Sequence, residues 1–199
     1  MLNLLSLKSY LGLASVGVQF VGYAPYFRDL YRGTTKPHVF SWFIWGLLQA
    51  IAFAAQISSG GGAGAWQVGT GAVLCFIVAG IALFAGEKNI TKTDWACFVG
   101  ALLGVVAWVS TSNPLWAVLI VSAVDTLGFI PTFRKAYMKP HEETAFVFAM
   151  ATVACVLSLF ALESYSVTTW FYLATLVVTN GSFVVYLLVR RAQLKGVAI

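Results

Sequence analysis

Gln19, Gln49, Asp125 and Asn180 are polar side chains set in the middle of long apolar runs, with Cys75 and Thr152 at matching depth in two more. Primary amides offer donors and acceptors together, which suits hydroxyl-rich or amide-bearing ligands. A carboxylate at the centre of a membrane helix costs about 2.5–3.5 kcal/mol on the insertion scale. Such a residue faces a cavity or a polar partner and marks a pathway. Asp125 could therefore bind a solute or carry a proton. For each of these residues the plainer reading also stands, a hydrogen bond that ties two helices together. Trp45 lies one helical turn before Gln49, on the same face, and Phe148 stands in the same relation to Thr152. Aromatic faces beside amides suit sugars or flat heterocycles, and they also suit core packing. His38 and His141 are too far from other candidate ligands to suggest a metal site. No metal, cofactor or enzyme chemistry is called for.

The elements that position these groups are repeated. Gly22, Pro25, Phe27, Arg28 and Tyr31 match Gly128, Pro131, Phe133, Arg134 and Tyr137 at one constant offset. Lys36-Pro37-His38 then matches Lys139-Pro140-His141. The repeat serves as a ruler. Gln19 is six residues before Pro25, and Asp125 is six before Pro131. Gln49 is eleven after His38, and Thr152 is eleven after His141. In a membrane chain, internal duplication marks a pseudo-symmetric transporter with a central site.

Composition places the chain in a bilayer. Of its 199 residues 60% are hydrophobic and 10% charged, and the mean hydropathy is +0.86, whereas a soluble domain carries about 25% charged residues. The net charge of +5 could suggest nucleic acid. The basic residues sit instead in short loops between apolar runs, which is a topology pattern, and no nucleic-acid partner is expected. Cys75, Cys97 and Cys155 fall inside apolar runs and read as small hydrophobes without a disulfide.

Seven spans are predicted, at 9–31, 39–57, 65–85, 93–110, 114–137, 144–162 and 168–189. Eleven of the twelve Lys and Arg residues fall on one side, and only Lys8 on the other. That puts the N-terminus outside and the C-terminus in the cytoplasm of an inner, plasma-membrane protein. Spans one to three then repeat as five to seven, with Trp66 and Trp170 opening the third member of each. Span four inverts the chain between them. The expected units are a first three-helix bundle at 1–87, a linker helix at 88–112 and a second three-helix bundle at 113–199. The linker carries no strongly polar side chain in its interior, only Trp108, and its Gly100/Gly104 pair reads as close helix packing. Gly60-Gly61-Gly62 reads as a flexible turn, and Ser112-Asn113-Pro114 as a tight break.

The three-one-three plan, the N-out topology and the proline motif ending spans one and five resemble the SWEET sugar transporters and the wider PQ-loop family. The Pro-Gln dipeptide that names that family is here Pro25-Tyr26 and Pro131-Thr132. The resemblance implies transport of a small polar, sugar-like solute by alternating access, with Asn180 in the pocket and Pro25 and Pro131 as hinges. Fixed kinks are the other reading of both prolines. Arg28, Asp29 and Arg134 lie at the cytoplasmic mouth as topology anchors, and Asp29 with Arg134 could pair as a gate. Proton coupling through Asp125 is a further option. The expected partners are the solute, the lipid bilayer and, as one option, further copies of the chain. Two competing readings keep a similar fold: a vitamin carrier like the nicotinamide riboside transporters, or a ligand receptor without transport.

Overall fold

The computed structural model describes residues 2–111 and 113–196, without the side chains of 2–6, 93–94, 97, 101, 104–105, 107–108, 111 and 195–196. The expectations for Cys97, Gly104, Trp108 and Ser112 lie outside the described residues. Among the described residues the chain is all-helical: α1 (Leu2–Tyr31), α2 (Val39–Ser58), α3 (Trp66–Ala85), α4 (Lys92–Thr111), α5 (Pro114–Met138), α6 (Ala145–Ala161) and α7 (Val167–Gly196). Short 3-10 turns at Gly62–Ala65 and Pro140–Glu142 precede α3 and α6. Among the described residues four stretches are long and apolar enough to cross a membrane: Val39–Ser58, Gly62–Ala85, Pro114–Met138 and Val167–Leu194. The 17 residues of α6 are apolar but fewer; at 1.5 Å per residue they rise about 26 Å, just under a hydrocarbon core of about 30 Å.

The helix ends follow local chemistry. Asn113 caps α5 by accepting the Leu115 N–H at 2.9 Å, and Pro114 takes the first position, where no N–H is needed. Gly33 ends α1 at φ +70°, which a side chain would resist. Residues 60–62 form the turn that caps α2. Gly61 N–H donates to Gln56 O at 2.7 Å, and Gly61 O accepts from Glu163 N–H at 3.3 Å. α1 and α5 run on through Pro25 and Pro131, each proline removing one helical hydrogen bond.

Packing has the same order in each set of three. α3 touches both α1 and α2, and α7 touches both α5 and α6. The two sets join crosswise: α1 lies along α6, and α5 lies along α2. The repeated glycines make these contacts close. A Cβ on Gly22 would meet the Met150 side chain at 2.6 Å, and one on Gly128 would meet Trp45 Nε1 at 3.1 Å. α4 stands outside, along α5 and against the start of α2, where Phe98 stacks on Phe40 at 4.5 Å. A Cβ on Gly100 would meet nothing within 4 Å, so this glycine makes no close contact within the chain. Large apolar side chains such as Phe20, Leu83, Phe84, Phe160, Val178 and Val185 are exposed around the bundle, a surface that water would not tolerate at this extent.

Candidate functional site: a polar cavity among six helices

The crosswise packing leaves a cavity of about 50 Å³ in the interior, room for a few water molecules at about 10–15 Å³ each. Among the described residues every long helix except α4 contributes to its lining. α1 supplies Gln19 and Tyr23, α2 supplies Trp42, Trp45 and Gln49, and α3 supplies Gln67 and Cys75. α5 supplies Asp125 and Phe129. α6 supplies Val147, Phe148, Ala151 and Cys155, and α7 supplies Leu176 and Asn180. Of these only Ala151 is not buried.

Six of the seven residues expected to contact a solute therefore come together: Gln19, Trp45, Gln49, Asp125, Phe148 and Asn180. Thr152 does not line the cavity. Its hydroxyl donates back to Phe148 O at 3.0 Å, and Ala151 takes its place. The two expected aromatic walls are one wall, because Trp45 and Phe148 meet edge-to-face with ring centroids 6.3 Å apart. Asn180 Nδ2 donates to Leu176 O of its own helix at 2.8 Å.

Asp125 does not pair with its repeat counterpart Gln19. It is fully buried and accepts one hydrogen bond at Oδ1, from the Tyr172 hydroxyl at 3.1 Å. Its Oδ2 has no partner, and neither does Gln19 Oε1 or Trp45 Nε1. Gln49 Nε2 donates to Cys75 Sγ at 3.1 Å, and Cys155 Sγ lies 3.7 Å from Gln67 Oε1. Gly71 of α3 makes room for this cluster: a Cβ there would lie 2.8 Å from Gln19 Nε2 and would overlap Gln49. Buried polar atoms are ordinarily paired, so a cavity carrying several that are not is shaped for something else to pair with them. Among the described residues no three His, Cys, Asp or Glu side chains converge on a metal position.

The end of the bundle rich in Lys and Arg is closed above the cavity in two layers. The first is aromatic: Tyr26 packs on Trp42 at 5.1 Å, Trp45 on Phe129 at 4.6 Å and Phe148 on Phe183 at 4.6 Å. The second is polar. Lys135 forms a 2.6 Å ion pair with Glu143, each side chain 2% exposed. The Lys135 ammonium also donates to Glu142 O at 3.1 Å and to Lys36 O. Burial pushes the Glu143 carboxyl above the usual carboxylate range, and Lys135 pulls against that shift without reversing it.

The repeated Lys-Pro-His segments owe their form to this closure. The Pro37 carbonyl accepts the Glu87 N–H at 3.0 Å, and the Pro140 carbonyl accepts Arg191 Nε at 3.0 Å. Glu87 and Arg191 occupy matching positions counted from Trp66 and Trp170. The expected Asp29–Arg134 gate is not formed. Asp29 pairs with Arg28 at 2.8 Å and accepts from the Thr144 hydroxyl at 3.1 Å, while Arg134 Nη2 donates to Asn89 O at 3.1 Å. Arg28, Asp29 and Pro25 instead line a surface groove beside α1, α6 and α7. The opposite end is held by Lys8 Nζ on Leu162 O at 2.6 Å and by Gln56 Nε2 on Thr169 O at 3.0 Å.

Sequence reasoning missed Tyr172, Tyr23, Trp42, Phe129 and Gln67. Tyr172 and Gln67 lie within two turns of their helix starts, far from the span centres that were counted. The lone carboxylate was the available signal, since a buried acid needs a donor and tyrosine is the long-reaching neutral one. No protein family, no curated protein and no solved structure matches this chain.

Proposed function

We propose that this chain is an integral plasma-membrane carrier that moves a small polar solute by alternating access. In this reading all seven helices cross the bilayer, with the N-terminus outside and the Lys- and Arg-rich end in the cytoplasm. Helices α1–α3 and α5–α7 form two parallel units, with α4 as the linker that restores orientation. The apolar exposed surface supports a bilayer setting, as do Trp66 and Trp170, which stand half-exposed at matching helix starts as interfacial aromatics do. The observation that carries the reading is the interior cavity. It is drawn from every helix of both units and from none of the described residues of α4, and it holds buried polar atoms without partners.

The cavity is small, and the aromatic and ion-pair layers lie on its Lys- and Arg-rich side, which suits a state closed towards the cytoplasm. Opening towards the cytoplasm would part the loop at Thr34–His38 from the loop at Lys139–Thr144, breaking the bonds of Lys135. Pro25 and Pro131 lie where the helices would bend. Asp125 would contact the solute or carry the coupled proton.

Uptake into proteoliposomes tests this. Purified protein should accelerate entry of at least one labelled small polar solute, and Gln49→Leu should abolish that flux in a protein that melts normally. A pH gradient should drive flux in wild type and not in Asp125→Asn. Vesicles no more permeable than empty ones across sugars, vitamins, amino acids and amines would refute the carrier reading.

A further inference from the structure

The charges and acceptors around the cavity narrow the solute class, and this step rests on the carrier reading above. Among the described residues Asp125 is the one acidic side chain in the lining, and no Lys, Arg or His lines it. Its Oδ2 is unpaired and buried, and the second unpaired oxygen is Gln19 Oε1. Around them stand five aromatic rings, those of Tyr23, Trp42, Trp45, Phe129 and Phe148. Ring faces carry negative potential and attract cations.

An anionic solute would meet a carboxylate with no compensating base. A neutral polyol would require Asp125 to stay protonated, because a carboxylate without a counterion in a low-dielectric site is an arrangement proteins avoid. It would also need several free donors, whereas Trp45 Nε1 is the unpaired one, with the Gln49 amide on Cys75 and the Asn180 amide on Leu176 O. A positively charged solute satisfies the carboxylate, donates to both unpaired oxygens if it bears N–H groups, and rests on the rings. We propose that the solute is a small organic cation, an amine or quaternary ammonium, bound by the Asp125 carboxylate inside this aromatic enclosure.

A proton and a cation cannot both occupy the same carboxylate, so the two compete. The other titratable groups facing the cavity carry no positive charge in any state. They are Tyr23 of α1, Cys75 of α3 and Cys155 of α6, with Tyr172 of α7 on the far oxygen of Asp125. α2 presents Trp45 and Gln49, which do not titrate, and none of the described residues of α4 lines the cavity.

Paired isosteres test the charge directly. Choline and 3,3-dimethylbutan-1-ol differ by one charge at nearly constant shape, and so do ethanolammonium and propan-1-ol. Trp42 and Trp45 in the lining provide a fluorescence signal for titration of the detergent-solubilised protein. A cation of at least one pair should bind at least about tenfold more tightly than its neutral partner, and more weakly as the pH is lowered. Asp125→Asn should remove both the preference and the pH dependence, and Asp125→Glu should retain them. Equal affinity within both pairs, no binding by any of the four probes, or cation binding undiminished in Asp125→Asn would each overturn the proposal. The isostere comparison needs no variant, so it stands even if Asp125→Asn does not fold. Flux of a neutral solute without cation binding would overturn the cation assignment and leave the carrier; cation binding without flux would do the reverse.

Discussion

Replacing Lys135 by methionine should be one of the most damaging single changes in this chain, although it lies outside the cavity. Its ammonium makes three bonds: to Glu143 Oε1 at 2.6 Å, to Glu142 O at 3.1 Å and to Lys36 O. The two charges attract by about 6 kcal/mol at an effective dielectric of about 20, and removing both from water takes most of that back. The pair as a whole therefore contributes little net stability. Removing one member is different, because Glu143 remains buried with only the weaker Arg191 charge to offset it, which costs about 3–5 kcal/mol. At about 2–4 °C per kcal/mol for a chain of this length, tryptophan-monitored melting in detergent should fall by about 6–20 °C. The double change Lys135→Met with Glu143→Leu should recover most of the loss. The loss should also depend on pH. Burial already raises the Glu143 carboxyl, and a group whose folded-state pKa is raised takes up its proton more readily folded than unfolded. The single variant should thus regain stability as the pH falls towards the ordinary carboxylate range, and lose it as the pH rises. Equal melting temperatures for single and double variants, or a single-variant penalty independent of pH, would refute this account.

Gly71→Ala should cost about 1–3 kcal/mol by overpacking the amides of Gln19 and Gln49. Gly17→Ala in α1 meets nothing within 4 Å and should gain up to about 1 kcal/mol from helix propensity; paired melts decide both. Glu87 is partly desolvated, which opposes its charge, but the Asn89 N–H at 2.9 Å and Lys139 at 3.1 Å outweigh that and hold its carboxyl below the usual range. Its contribution is present above the ordinary carboxylate pKa and lost as the pH falls through the lowered one. Glu87→Gln should therefore flatten the acid limb of the melting profile; an unchanged limb would count against the Glu87–Lys139 contact. Cys75 and Cys155 are buried and free. In a Cys97→Ser background a maleimide should label them only after denaturation, which mass spectrometry would read.

Much of the site was legible because the duplication supplied a ruler. Counting from Pro25, Pro131 and His38 located Gln19, Asp125 and Gln49, which need only correct depth and an inward face to meet. The same ruler failed at Thr152, since a threonine on a helix can satisfy itself on the carbonyl four residues back and leave the site. Depth also failed for Tyr172, which sits in the second turn of α7 and reaches Asp125 by its own length. The Asp29–Arg134 pairing failed for a different reason. Charge signs at a helix end say which partners are compatible, while the loop path decides which are near, and it brought Thr144 to Asp29 instead. Lys135 looked like one more topology anchor, and nothing in its neighbours distinguishes a buried lysine from an exposed one.

The crosswise seating of Gly22 on α6 and Gly128 on α2 bears on how such a chain can change over generations. Each half completes its core with a helix from the other, so the two halves resemble subunits of a dimer joined into one polypeptide. A bulkier residue arising on α1 must be answered on α6, far along the sequence, and not on the adjacent α2. Correlated substitutions among descendants of this chain should accordingly link α1 with α6 and α5 with α2, in the pattern expected of two interacting proteins, with α4 following α5, along which it packs.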